Sequence, residues 1–232
     1  MQSQRSRGTA ALFVSLLALV LVASSCGGDD GGAASEQDAE SPDADSGNEA
    51  EAGDPDTYSG YVVDPPVKVD TVSLPIADGS GEFPMVAQPG GLEVVYFGYT
   101  FCPDVCPTTM ADLRKALAEL PAEEAERIGV VMVTIDPARD TAEVLDGYVS
   151  NFVEDGVSLR TDDDAALRAA TDAFGANYEV TTNAEGDVEV AHTGELYAVD
   201  DTGTVVMQWP FGTSYESLAR DLRSLLGEAG QV

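Results

Sequence analysis

Basic residues are scarce in this chain. Eleven Lys and Arg stand against 42 Asp and Glu, a formal net charge of −31 at pH 7. A nucleic-acid binder needs a basic face, so that class is excluded. Docking on anionic lipid is disfavoured for the same reason. The acidity is read as a solubility device, with an acidic surface for a basic partner as the other possibility. Histidine and tryptophan occur once each and cysteine three times. A structural zinc site wants four Cys or His ligands, and besides Cys102, Cys106 and His192 the chain offers only Cys26. No internal repeat is visible. The charge-free run Ala10–Ala23 is short for a membrane span.

That run follows Arg5 and Arg7, the layout of an export signal with an apolar h-region. It ends Leu21-Val22-Ala23-Ser24-Ser25-Cys26, which resembles the bacterial lipobox. The resemblance implies a lipoprotein signal peptide over residues 1–25, cleavage before Cys26 and a lipid on its sulfur; the alternative is an ordinary secretory signal with an incidental cysteine. Gly27 to Thr57 holds 11 acidic residues, no Lys or Arg and almost nothing apolar. Such a segment cannot bury enough area to offset chain entropy, so residues 26–57 are expected to be a disordered acidic linker. Residues 58–232 form the expected domain, with 31 acidic and 9 basic residues. Export places its two remaining cysteines outside the cytoplasm, where a disulfide bond can form and persist.

Leu92, Val94, Val95, Tyr96 and Phe97 form a nearly continuous apolar run that predicts a central strand covered on both faces. It breaks at Gly98 and reaches Cys102 and Cys106, spaced C-x3-C. Met110, Leu113, Leu117 and Leu120 recur at helical spacing behind them, which predicts a helix over about 107–120 that Pro121 ends. Thiols at i and i+4 near a helix start can face one another at roughly 5–6 Å between Cβ atoms. They can then share a metal or, after adjustment, form a disulfide. The positive helix end favours the thiolate.

Ile128–Ile135 predicts a second central strand. Asp140 with Glu143 predicts a capped helix to about Asn151, and one of Asp162, Asp163 or Asp164 caps another through Phe174. Val157–Arg160 reads as a short strand. A hairpin is expected within 58–91, around Asp78-Gly79-Ser80-Gly81, and an extended excursion turning at Gly186. His192 precedes strands Glu195–Val199 and Thr204–Trp209. Thr213 and Glu216 form a capping box before a closing helix striped by Leu218, Leu222, Leu225 and Leu226. The alternation predicts an α/β sheet flanked by helices.

Three motifs then carry a family resemblance. Thr100-Phe101-Cys102-Pro103-Asp104-Val105-Cys106-Pro107, Thr134-Ile135-Asp136-Pro137-Ala138-Arg139-Asp140-Thr141, and His192-Thr193 ahead of Tyr197-Ala198-Val199-Asp200 together resemble the Sco/SenC family over roughly residues 60–228. The resemblance implies a thioredoxin-like fold with a central mixed sheet, and copper bound by Cys102, Cys106 and His192. It also implies a role in assembling the binuclear copper centre of cytochrome c oxidase. The partners would be the copper-bearing oxidase subunit and a copper donor, and the location the outer face of the cytoplasmic membrane, held there by the lipid. Gly194-Glu195 after His192-Thr193 departs from the family's usual apolar pair. Soft thiolates suit Cu(I), and imidazole suits both copper states. Met110, four residues past Cys106, is read as helix core.

Alternatives stand beside each assignment. The thiols can be a structural disulfide, or the redox pair of a thiol–disulfide oxidoreductase that reduces a target's copper-ligand cysteines; whether the chain is an enzyme is left open on that point. His192 can be an ordinary surface histidine. Asp136 is either a local turn cap or a functional residue, supporting the metal ligands from behind or serving in docking. Asp104 is expected to face solvent, and Trp209 with Phe211 to pack in the core or at its rim.

Overall fold

The computed structural model describes residues 58–229. The signal peptide, Cys26 and the linker expected over 26–57 lie outside the described residues. Among these, no helix is long and apolar enough to cross a membrane.

The sheet is built on β4 (Leu92–Gly98), whose seven residues are all buried. It pairs in parallel with β5 (Ile128–Thr134), which in turn pairs in parallel with β6 (Val157–Leu159). On its other side β4 runs antiparallel to β9 (Leu196–Asp200). Next come β10 (Thr204–Trp209) and then β1 (Tyr61–Lys68), each antiparallel to its neighbour. The order β1-β10-β9-β4-β5-β6 makes the sheet mixed. β1 is an edge strand, which explains how it tolerates Pro65 and Pro66: an edge residue need not donate into a ladder. The hairpin expected before β4 is present as β2 (Ser73–Pro75) and β3 (Glu82–Pro84), but β1 ahead of it joins the main sheet.

Side chains alternate across β4. Phe97 packs edge-on against Phe174 of α4 (Asp164–Phe174). Tyr96, one residue earlier, faces α1 (Val105–Ala118) and the thiols. α1 packs against the closing helix α5 (Tyr215–Ala229). α3 (Ala142–Ser150) packs on β6. A one-turn helix, α2 (Ala122–Ala125), follows Pro121, and β7 (Tyr178–Thr182) with β8 (Val188–His192) forms a separate hairpin turning at Gly186, φ +94°.

Three local expectations are corrected. α1 begins at Val105, two residues earlier than read from the sequence, so both Cys106 and Pro107 sit in its first turn, where amides have no helical partner. Asp140 does not cap α3: Thr141 does, accepting from the Val144 amide, while Asp140 is buried and turned the other way. At α5 the Ser214 hydroxyl, not Thr213, accepts the Ser217 amide; Thr213 instead donates to the Pro210 carbonyl. α4 takes Asp163 as its cap, one of the three aspartates expected. Met110 is fully buried core, as is Trp209, whose indole N–H donates to Asp221 at 2.9 Å; Phe211 is exposed.

Candidate metal centre

The thiol pair sits where β4 ends and α1 begins. Cys102 lies in the turn and is 9% exposed; Cys106, in the first helical turn, is fully buried. Asp104 precedes the helix but makes no side-chain cap. The Cys106 amide donates instead to Cys102 Sγ at 3.2 Å, so a sulfur does what a capping carboxylate usually does. Both thiols are free.

This arrangement makes the two sulfurs unequal. Burial pushes the Cys102 thiol up, but the backbone amides of Cys106 and Asp104, with help from the Cys106 and Tyr99 side chains, outweigh it and leave the group below its ordinary value. Burial dominates at Cys106 and pushes it up to about 12. Cys102 is the thiolate-prone member and Cys106 stays a thiol near neutrality.

His192 arrives from β8. The hairpin that carries it closes at its base through Thr193, whose amide donates to the Asn177 carbonyl at 2.9 Å while its hydroxyl accepts the Asn177 amide at 2.9 Å. His192 Nδ1 lies 2.9 Å from the Thr193 carbonyl, which can only accept, so Nδ1 carries the proton and Nε2 presents a lone pair. Nε2 stands 3.6 Å from Cys106 Sγ. Burial lowers the imidazole's pKa and so favours the neutral ligand form, against smaller opposing effects of the Thr193 and Phe97 carbonyls. Tyr96 and Tyr99 meet the imidazole edge-on, with ring centroids 6.2 and 5.7 Å away.

One ligand atom each from Cys102, Cys106 and His192 lies within 4.8 Å of the others, the separation that a single ion shared by three donors requires. Two sulfurs and one imidazole nitrogen are a soft set that fits copper better than a hard cation. The group opens on a cleft of about 440 Å³ lined by Tyr99, Pro103, Val190 and Phe211, with Asp104 exposed at its edge. Phe101 is exposed nearby, under the Arg139 guanidinium at 4.9 Å.

Asp136 is buried at the end of β5 and pairs with Arg139, which lies against the Tyr99 and Phe101 rings. Its side chain therefore reaches the thiol loop through Arg139. The residue that the sequence reading missed is Asp140. Its carboxylate accepts from the Thr100 amide at 3.1 Å, the Thr100 hydroxyl at 2.5 Å and the Thr134 hydroxyl at 2.6 Å. It thus ties the turn bearing Cys102 to the end of β5. Its spacing to Glu143 looks locally like a helix start, and nothing nearby in sequence points to Thr100.

A central mixed sheet flanked by helices, with two cysteines at the turn from β4 into α1, defines a thioredoxin-like protein. The SCO1/SenC family model matches residues 85–227, and the chain belongs to that family. The apo Sco1 protein of Thermus thermophilus is 30% identical, with a TM-score of 0.65; the match covers 73% of this chain and 97% of that one. Bradyrhizobium japonicum ScoI with copper bound is 25% identical at a TM-score of 0.57, covering 66% and 96%. An SCO2-like protein of Rickettsia prowazekii is 34% identical over 117 residues, 49% of this chain and 56% of its own. The matched segment thus spans little more than half of that relative.

Proposed function

We propose that this protein is a copper metallochaperone. Cys102, Cys106 and His192 hold the ion, and ligand exchange passes it to the copper-bearing subunit of cytochrome c oxidase. The observation that carries the reading is the convergence of two free thiols and one imidazole, with ligand atoms within 4.8 Å of one another. Copper is the cargo here. Cys102 meets it as the more exposed, thiolate-ready sulfur, Cys106 holds the buried side, and His192 offers Nε2 from a separate hairpin. A ligand set drawn from two independently anchored segments can give up one donor without dismantling the others, which suits handover. We place the protein on the outer face of the cytoplasmic membrane, anchored by lipid on Cys26 and held off the bilayer by residues 26–57; the support is the lipobox resemblance and the acidic composition. Copper titration of the full, reduced chain tests the reading: one ion per chain is expected, and no binding in the wild type would end it.

The asymmetry of the thiols favours a second reading, an extracytoplasmic thiol–disulfide oxidoreductase. Cys102 thiolate would attack a target disulfide and release one target thiolate, which takes a proton. Cys106 would then resolve the mixed disulfide, leaving the target a dithiol and this pair oxidised. Insulin reduction that survives His192→Ala, without copper affinity, would favour it.

A further inference from the structure

Tyr96 is the group at this site to which the ligand set assigns no task. It is fully buried at the end of β4, and its hydroxyl makes no conventional hydrogen bond. Its polar neighbours are Cys106 Sγ and the Thr109 hydroxyl. Thr109 already donates to the Val105 carbonyl at 2.9 Å, so its proton is committed. A buried phenol without a partner is costly, so this orientation calls for an acceptor.

The backbone is shaped around the ring. A Cβ on Gly98 would come within 2.6 Å of Tyr96 Cε1 and 3.1 Å of Cδ1. The break in the β4 pattern at Gly98 is thus the space in which the Tyr96 ring lies. The same ring meets His192 edge-on.

The sulfur it faces is the poorly served one. Cys102 Sγ accepts the first-turn amide of Cys106. Cys106 Sγ faces His192 Nε2, the Tyr96 hydroxyl, Cys102 and the Tyr99 backbone amide. With the proton on Nδ1, His192 Nε2 has none to donate, so it cannot serve a Cys106 thiolate. Among the described residues, Tyr96 is then the side-chain O–H donor left to Cys106. A thiolate buried in an acidic protein needs such a donor.

We infer that Tyr96 is a positioning residue for the metal: its phenolic O–H donates to the Cys106 thiolate in the loaded state and sets the strength of the sulfur–copper bond. The inference rests on copper being held by Cys102, Cys106 and His192.

The test uses the full reduced chain, copper ions and the chelator bathocuproine disulfonate. Tyr96→Phe keeps the ring and removes the hydroxyl. Retention of Cu(I) against the chelator should fall about tenfold, the worth of a hydrogen bond to a charged group. The sulfur-to-Cu(II) charge-transfer band should move to longer wavelength, since a sulfur relieved of its donor gives up electrons more readily. Stoichiometry should stay at one. Tyr197→Phe, a buried tyrosine bonded to Glu195 at 3.1 Å, should leave band and retention unchanged. Gly98→Ala keeps the hydroxyl but crowds the ring, and should move both readouts in the direction of Tyr96→Phe; it carries the test if Tyr96→Phe does not fold. A wild-type band and wild-type retention in Tyr96→Phe would overturn the inference while leaving copper binding intact. Absence of copper from the wild type would instead remove the reading beneath it.

Discussion

Cys106 Sγ lies 3.6 Å from His192 Nε2 although 86 positions separate the two residues. The contact joins the first turn of α1 to the base of a hairpin outside the main sheet, and it gives the molecule a three-donor site.

His192→Ala should leave the domain folded, because the hairpin base is held by Thr193 and Asn177. It removes one donor of three. Copper affinity is expected to fall by at least about tenfold, the scale on which loss of a supporting group weakens a metal site. The Cu(II) spectrum should change, while Cys102→Ala and Cys106→Ala should each abolish tight binding. Titration with spectroscopy checks all three; unaltered binding across the set contradicts the assignment.

The thiols should react in order. Cys102 is the more exposed and its pKa lies below the ordinary value, whereas Cys106 is buried and pushed up to about 12. A short pulse of iodoacetamide on the reduced, metal-free chain near pH 8 should label Cys102 first, read by peptide mass spectrometry. Faster labelling of Cys106 would show the asymmetry to be reversed.

Asp140→Ala should destabilise the domain by about 2–4 kcal/mol, since it leaves the buried Thr134 hydroxyl and the Thr100 amide and hydroxyl without their acceptor. Urea unfolding measures it. A loss below about 0.5 kcal/mol, the scale of an ordinary surface change, would mean the strut carries no weight.

Glu93 supplies a pH prediction. It is buried on β4 at the end away from the thiols, one of its oxygens has no partner, and it packs on Gly129. Burial raises its pKa from 4.5 to about 8. The folded state therefore binds the proton more tightly than the unfolded state. The stabilisation is complete below about pH 4.5 and is lost as pH rises towards 8. The wild type should lose on the order of a few kcal/mol over that range, and Glu93→Gln should lose less. Urea midpoints at pH 5 and pH 8 for both proteins decide it; equal slopes would exclude Glu93 as the cause.

Much of this arrangement is written locally. β5 is a continuous apolar run and β4 is one apart from Glu93, and only burial on both faces accounts for them. The helix behind the thiols shows in the spacing of Met110 and Leu113, and the excursion before His192 in its turn at Gly186. Boundaries were harder: α1 starts after Asp104 without a side-chain cap to mark it, and Ser214 competes with Thr213, a residue of similar cap propensity. The pairing of β1 with β10 and the turn of Asp140 towards Thr100 were not legible: both join residues far apart in the chain, where no local pattern carries a signal.

The order of residues alone settled the ingredients: two thiols four positions apart at a strand-to-helix turn, one imidazole in the whole chain and hardly a basic side chain to balance the acid. Tertiary structure decided what they amount to. Sulfur polarity is set by which amides and which apolar walls surround each atom, so only folding could make Cys102 and Cys106 different. Likewise, only the closure of a hairpin onto the end of β4 could bring a ring nitrogen to a buried sulfur.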